Sequence, residues 1–79
     1  MSKWPKYIYF LKDSAEKICK DIPDVSVVDT GKAFDSEGES YYFVRVKCPG
    51  SEWYNVREKL ALGLLEDKFF SIRIWRVES

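Results

Sequence analysis

Residue types that usually carry catalytic chemistry are sparse in this chain of 79 residues. It contains no histidine, so the usual base near neutral pH is missing and a Cys–His or Ser–His nucleophile is excluded. Cys19 and Cys48 fall on the apolar phases of their segments, which is typical of small buried hydrophobic residues. The cysteines have no C-x-x-C spacing, and the glycines form no phosphate-binding loop. We therefore expect no enzyme activity, no catalytic residue and no cofactor.

One group of carboxylates resembles a cation site in composition. Asp35, Glu37 and Glu39 stand around Gly38. A calcium loop needs a longer series of oxygen ligands that ends in a bidentate glutamate. The short spacing instead predicts a hairpin turn in which Gly38 adopts a positive φ. We expect no metal site here.

The stretch ESYYFVRVK, residues 39–47, combines aromatic rings and cations with a period of two, which indicates a β-strand. Every second side chain would point into a core, and the rest would point away from it: Tyr41, Phe43, Arg45 and Lys47. Such side chains can form the anchors of a binding surface. They can also simply stabilise the sheet, because cross-strand aromatic pairs contribute roughly 0.2–1 kcal/mol each. Both interpretations stay open.

Two strands and a helix are predicted in the first half of the chain. Residues 7–11 are aromatic and β-branched, which favours a strand. Residues 13–22 predict a short helix, with Asp13 as its N-cap and an apolar face at i, i+3, i+4 and i+7. Residues 25–34 predict a second strand, in which Gly31 and its polar neighbours interrupt the alternation and indicate a bulge. This strand and residues 39–48 are expected to form a hairpin.

The second half of the chain predicts a longer helix and a last strand. Residues 52–67 place an apolar stripe along one side of a helix, formed by Trp53, Val56, Leu60 and Leu64. Leu62 lies about opposite this stripe, and the mid-helix Gly63 suggests close approach of another backbone. Both features would fit a second contact patch or a dimer seam. Residues 69–77 alternate between apolar and other side chains and predict a strand.

The predicted order βαββαβ is that of a ferredoxin-like α+β sandwich. In it, two helices cover one face of a four-stranded antiparallel sheet. The length predicts one compact domain that spans residues 1–79. The other sheet face would then collect the candidate binding residues: Tyr9, Tyr41, Phe43, Arg45, Lys47, Arg73 and Trp75. An exposed apolar patch of this kind usually marks an interaction site.

This surface leads us to expect a binding module that acts by contact. The favoured partner is another protein, which would be a second copy of this chain or a larger machine that the domain regulates or inhibits. Aromatic side chains and arginine are enriched in the cores of such interfaces.

The same surface supports an alternative function. ESYYFVRV resembles the RNP1 pattern of the RNA recognition motif, with Tyr41 and Phe43 at the base-stacking positions, and IYFLKD resembles RNP2, with Tyr9 there. Glu39 and Ser40 stand where RNP1 begins with a cation and a glycine. The resemblance implies binding of single-stranded RNA or DNA by the open face.

Charge and hydropathy bear on partners and location. The 13 cations balance the 13 anions, so the net charge gives no long-range attraction to nucleic acid or to an acidic membrane. The apolar run at residues 7–11 is too short for a secretory or membrane-spanning segment. A small secreted domain usually has more than two cysteines. We therefore expect a cytoplasmic protein with no membrane partner.

Overall fold

The computed structural model describes the backbone of residues 4–78 and the side chains of residues 6–78. Its elements, in chain order, are α1 (Trp4–Cys19), β1 (Ser26–Phe34), β2 (Ser40–Cys48), a turn of 3-10 helix (Gly50–Glu52), α2 (Trp53–Glu66) and β3 (Arg73–Glu78). Both helices contribute to one core with the side chains of one sheet face. The predicted α+β class, with two helices, is confirmed.

The sheet has the strand order β1-β2-β3. β1 and β2 form the predicted antiparallel hairpin, and Gly38 in its turn has a φ of 82°. The register shifts between Val27 and Asp29, so the predicted irregularity in this strand is confirmed just before Gly31. β2 and β3 are parallel, and α2 provides the crossover that a parallel pair requires.

The first predicted strand is wrong, because residues 7–11 lie inside α1. Their aromatic and β-branched side chains favour a strand locally. Tyr7, Leu11 and Ala15, however, stand four residues apart and continue the apolar stripe of the helix. The Tyr7 ring packs against Tyr42 at 4.4 Å and against Phe69 at 5.3 Å between ring centroids. Contacts distant in sequence therefore override the local strand preference.

This helix changes the architecture that the sequence predicts. Within residues 4–78 the sheet has three strands and one parallel pair, so the four-stranded antiparallel sheet is not present there. β3 lies directly beside β2, in the place that a ferredoxin-like order gives to the first strand. The ferredoxin-like detail is therefore not confirmed. Asp13 is an exposed residue in the interior of α1 and does not cap its start.

The core lies between the helices and the sheet. Its buried apolar residues are Leu11, Ala15, Cys19, Val44, Val46, Cys48, Val56, Leu60 and Leu64. The two helices approach closely at Gly63, where an added Cβ would stand only 2.6 Å from Cδ1 of Ile18. Gly63 therefore serves packing within the chain, which accounts for it without a dimer seam. Leu62 beside it is exposed, as its position opposite the core stripe predicts.

Both cysteines are free thiols inside this core. Burial, together with the nearby Cys48, raises the pKa of the Cys19 thiol to about 11. A thiol with a raised pKa stays protonated and is a poor nucleophile.

Candidate interface on the open sheet face

The open face is the side of the sheet that the helices do not cover. The pairing register places one set of residues on it: Ser26, Asp29, Gly31, Ala33, Tyr41, Phe43, Arg45, Lys47, Arg73, Trp75 and Val77. The opposite phase holds the buried Val44 and Val46. All the predicted site residues in β2 and β3 therefore share this face.

Tyr9 is the exception, and its assignment to this face is wrong. Tyr9 lies in α1, on the helical layer that packs against the other side of the sheet. Its side chain is 66% exposed. The assignment depended on a first strand, which the chain does not form at residues 7–11. The RNP2-like stretch is therefore helical, and its ring cannot stack beside Tyr41 and Phe43 in one sheet.

A row of aromatic rings crosses the open face. Phe43 and Trp75 are stacked, with centroids 4.5 Å apart and planes at 15°. Tyr41 meets Trp75 edge-on, at 6.0 Å and 75°. The tip of the Phe43 ring lies over Gly31 of β1, where a Cβ would stand 2.7 Å from Cζ. Gly31 thus leaves the space that the ring fills, and the ring covers the glycine backbone in return.

Two of the three cations of this face are held by neighbours. The Arg73 guanidinium lies 3.9 Å from the centroid of the Tyr41 ring, in cation–π geometry. Arg45 forms a two-point pair with Asp29 across the strands, with Nε donating to Oδ1 at 2.7 Å and Nη2 to Oδ2 at 2.5 Å. Lys47 extends from the same strand and is exposed.

The Arg45–Asp29 pair has an electrostatic consequence. The hydrogen bonds from Arg45 lower the pKa of the Asp29 carboxyl, and they raise the pKa of Arg45 in turn. Both side chains are about two-fifths exposed, so the pair is screened by solvent. Its main effect is to fix the position of the Arg45 side chain.

Asp29 and Gly31 were missed as site residues from the sequence. Both interrupt the alternation of β1, and from the sequence alone that interruption predicts only a bulge. Their roles follow from the register, which sets Asp29 opposite Arg45 and Gly31 opposite Phe43. A glycine within an otherwise apolar strand signals close approach of another group, and here that group is an aromatic ring.

Comparisons with known proteins give no family for this chain: no protein-family model matches it, and a search of the curated proteins finds no match. Between residues 4 and 78, no helix has the length and apolar character needed to cross a membrane. The same residues bring no three histidine, cysteine, aspartate or glutamate side chains together where they could hold a metal ion. The function of this protein must therefore be inferred from the geometry of its surface.

Proposed function

We propose that this protein is a non-enzymatic binding module that engages another protein through the open face of its sheet. The observation that carries the proposal is the packed aromatic row of Tyr41, Phe43 and Trp75, with Arg73 stacked on one end. Tyrosine, tryptophan and arginine are the residues that most often dominate the energy of protein interfaces.

The rigidity of the row supports this function. Each ring is held by another ring, by Arg73 or by the backbone at Gly31. Side chains that are already ordered lose less conformational entropy when a partner covers them, which lowers the cost of binding. Three cations and Asp29 surround the row, and they would supply charge-assisted contacts at the border of the interface.

The geometry favours a protein over a nucleic acid. Base stacking needs free ring faces. Here Arg73 covers one face of Tyr41, and Trp75 covers one face of Phe43. Arg45, which would neutralise a phosphate, is already paired with Asp29. Single-stranded RNA or DNA remains the alternative that the experiment must address.

The charge and the area of the open face indicate what kind of surface the partner must have. The open face carries three cations and one anion, so a second copy would meet like charges, whereas a surface with carboxylates would complement it. Strands spaced about 4.8 Å apart that rise about 3.3 Å per residue give this face an area on the order of 400 Å². A stable interface usually buries about 800 Å² on each partner. The partner must therefore extend beyond this face.

Cytoplasmic location is part of the proposal. The two thiols are reduced and buried, and the core needs no disulfide to hold the helices on the sheet. Such cysteines suit a reducing compartment.

The test compares two tyrosines. Tyr41→Ser removes a ring from the open face, and Tyr9→Ser removes a more exposed ring from the helical layer. Wild-type and variant domains are used as bait for proteins from the source cells. We expect that the wild type and Tyr9→Ser capture a protein that Tyr41→Ser does not capture. Retention by all three baits would contradict the proposal.

Two further measurements address the other partners. Sedimentation up to about 1 mM protein, a range that detects weak association, would reveal a second copy as the partner. Titration with a mixed single-stranded oligonucleotide pool would favour the alternative if amide shifts in β2 and β3 faded with salt. Neither signal is expected.

A further inference from the structure

The outer edge of β3 is the second notable surface of the molecule. β2 pairs with β3 on one side, and no strand among residues 4–78 pairs with it on the other. Two depressions between α2 and β3 share Ala61, Ile72 and Ile74, so they form one continuous groove along the strand. The groove is apolar where it passes Leu65. It is basic and aromatic at its other end, near Arg57.

The two edges of the sheet differ in how open they are to another strand. The β1 edge has an irregular register at Val27 to Asp29, and α1 packs beside it, with Thr30 donating a hydrogen bond to the Ile8 carbonyl at 3.0 Å. Irregularity and cover are the usual protections against strand addition. β3 pairs without a register shift from Arg73 to Glu78. Its outer edge is therefore regular and lies beside a groove.

The charged side chains along this edge indicate which kind of segment fits it. The charged side chains that line the groove are Arg57 and Arg73. Arg76 of the same strand is directed toward β2, where its Nε donates to the Cys48 carbonyl at 2.9 Å. Full-length antiparallel pairing of β3 with its own copy would place Arg73 opposite Glu78, the sole carboxylate of the strand, and would leave Arg57 of α2 without a carboxylate beside it. Among the residues that the structure describes, the groove is lined by two arginines and by no carboxylate, so its edge fits an acidic segment better than a second copy, whose strand is itself basic.

We propose that an extended acidic segment of a partner protein adds to β3 as a fourth strand. Its backbone would pair with the free edge, as in other cases of strand addition. Because strand side chains alternate in direction, one set would enter the groove beside Ile74 and Ala61 and the other would lie beside Arg73 on the open face. Branched apolar residues suit the first set and carboxylates the second. The inference rests on the proposed protein-binding function and names the chemistry of its partner.

The experiment uses the isotope-labelled full chain and the synthetic peptide acetyl-EIEVEIE-amide. At about millimolar peptide, the range in which weak complexes are detected, we expect amide shifts and slowed hydrogen exchange at alternate residues of β3. The control peptide acetyl-KIKVKIK-amide keeps the apolar residues and reverses the charges. It is expected to bind at least about tenfold more weakly, because it brings lysines toward arginines.

Two N-methylated peptides test pairing by the backbone. One carries methyl groups on the glutamate nitrogens, and the other carries them on the apolar residues. Successive residues of a strand direct their N–H groups to opposite sides. Strand addition therefore requires that one pattern abolishes binding and the other leaves it intact. Equal effects of the two patterns would overturn the proposal.

Charge variants locate the peptide on the protein. Arg57→Glu and Arg73→Glu should each weaken binding about tenfold. Lys59→Glu makes the same change on α2 outside the groove and should have no effect. Absence of β3 shifts at millimolar peptide, or equal binding of the lysine peptide, would refute the strand addition. Tyr41 lies in the central strand and outside the groove. If the peptide does not bind but Tyr41→Ser still fails to capture the protein that the wild type captures, strand addition is wrong and the proposed function still holds.

Discussion

On the covered face of the sheet, Val44, Val46 and Cys48 are buried against two helices. On the open face, the rings of Tyr41, Phe43 and Trp75 pack on one another and on the backbone at Gly31, with no helix of the described residues over them. Both faces hold apolar side chains in close contact. The covered face gains its order from burial, which removes apolar surface from water. The open face gains its order from ring stacking, a glycine and an ion pair. Order without full burial is the property that a binding surface needs.

The largest expected effect is on the covered face. Leu60→Ala removes a fully buried side chain and should lower the free energy of unfolding by about 2–5 kcal/mol. A chain of 79 residues is expected to have roughly 4–12 kcal/mol of stability, so the variant should lose a large share of it. Leu62→Ala, two residues away and exposed, should change stability by at most about 0.5 kcal/mol in urea denaturation. Equal losses of stability in the two variants would mean that Leu60 is not a core residue.

The second-largest expected effect is a loss of stability at alkaline pH, which is caused by a buried thiol in the core. Cys19 has a pKa raised from 9.0 to about 11 in the folded state. The unfolded thiol therefore loses its proton first as pH rises. Its contribution to stability is complete below about pH 9 and is lost as pH rises to about 11.

Stability should be measured against pH for wild type and Cys19→Ala. The wild type should lose on the order of 1–2 kcal/mol more than the variant across this interval. Parallel curves would show that Cys19 titrates as an exposed thiol.

Two glycine substitutions test the two faces against each other. In Gly63→Ala the new Cβ would stand 2.6 Å from Ile18 in the helical layer. Overpacking of about 1–3 kcal/mol should exceed the gain of about 1 kcal/mol in helix propensity, so the variant should be less stable. Ile18→Val removes the clashing methyl group and should restore part of the loss. Stability equal to wild type would show that the helices adjust freely.

Gly31→Ala makes the same change under the open face. The new Cβ would stand 2.7 Å from the tip of the Phe43 ring, which can turn toward solvent. Stability should therefore fall by less than about 1 kcal/mol. The near-ultraviolet circular dichroism of the Phe43–Trp75 stack should change, and capture of the partner should weaken. An unchanged spectrum would mean that the stack does not depend on Gly31.

The smallest effect is the acid dependence of the open face. The pKa of Asp29 is lowered by Arg45, so the folded state keeps this carboxylate ionised to a lower pH than the unfolded chain. The resulting stabilisation is present above the ordinary aspartate pKa of about 3.9 and is lost as pH falls through the lowered value. Asp29→Asn should be slightly less stable than wild type at pH 7, and the difference should vanish in acid. A difference that persists in acid would point to a role other than charge.

The sequence predicted much of the sheet and only part of the helical layer. Strands β1 and β2 follow from alternation and the turn at Gly38, and α2 follows from the stripe of Val56, Leu60 and Leu64. A local sequence pattern is enough to predict an element where the apolar residues follow only one period, either that of a strand or that of a helix. Residues 7–11 fit two periods, because Tyr7 and Leu11 also lie four residues apart. The helix is favoured over the strand because Tyr7 packs against rings from β2 and from the segment after α2.

By itself, the sequence determined the alternation within each strand, and therefore that Tyr41, Phe43, Arg45 and Lys47 share one side of β2 and that Arg73 and Trp75 share one side of β3. Side-chain alternation is a local property of a strand, so it needs no knowledge of the fold. Only the tertiary structure decided that Tyr9 belongs to a helix, that Gly31 and Asp29 complete the face, and that β3 is an open edge. These facts depend on strand order and register, and both are set by contacts between residues far apart in the chain.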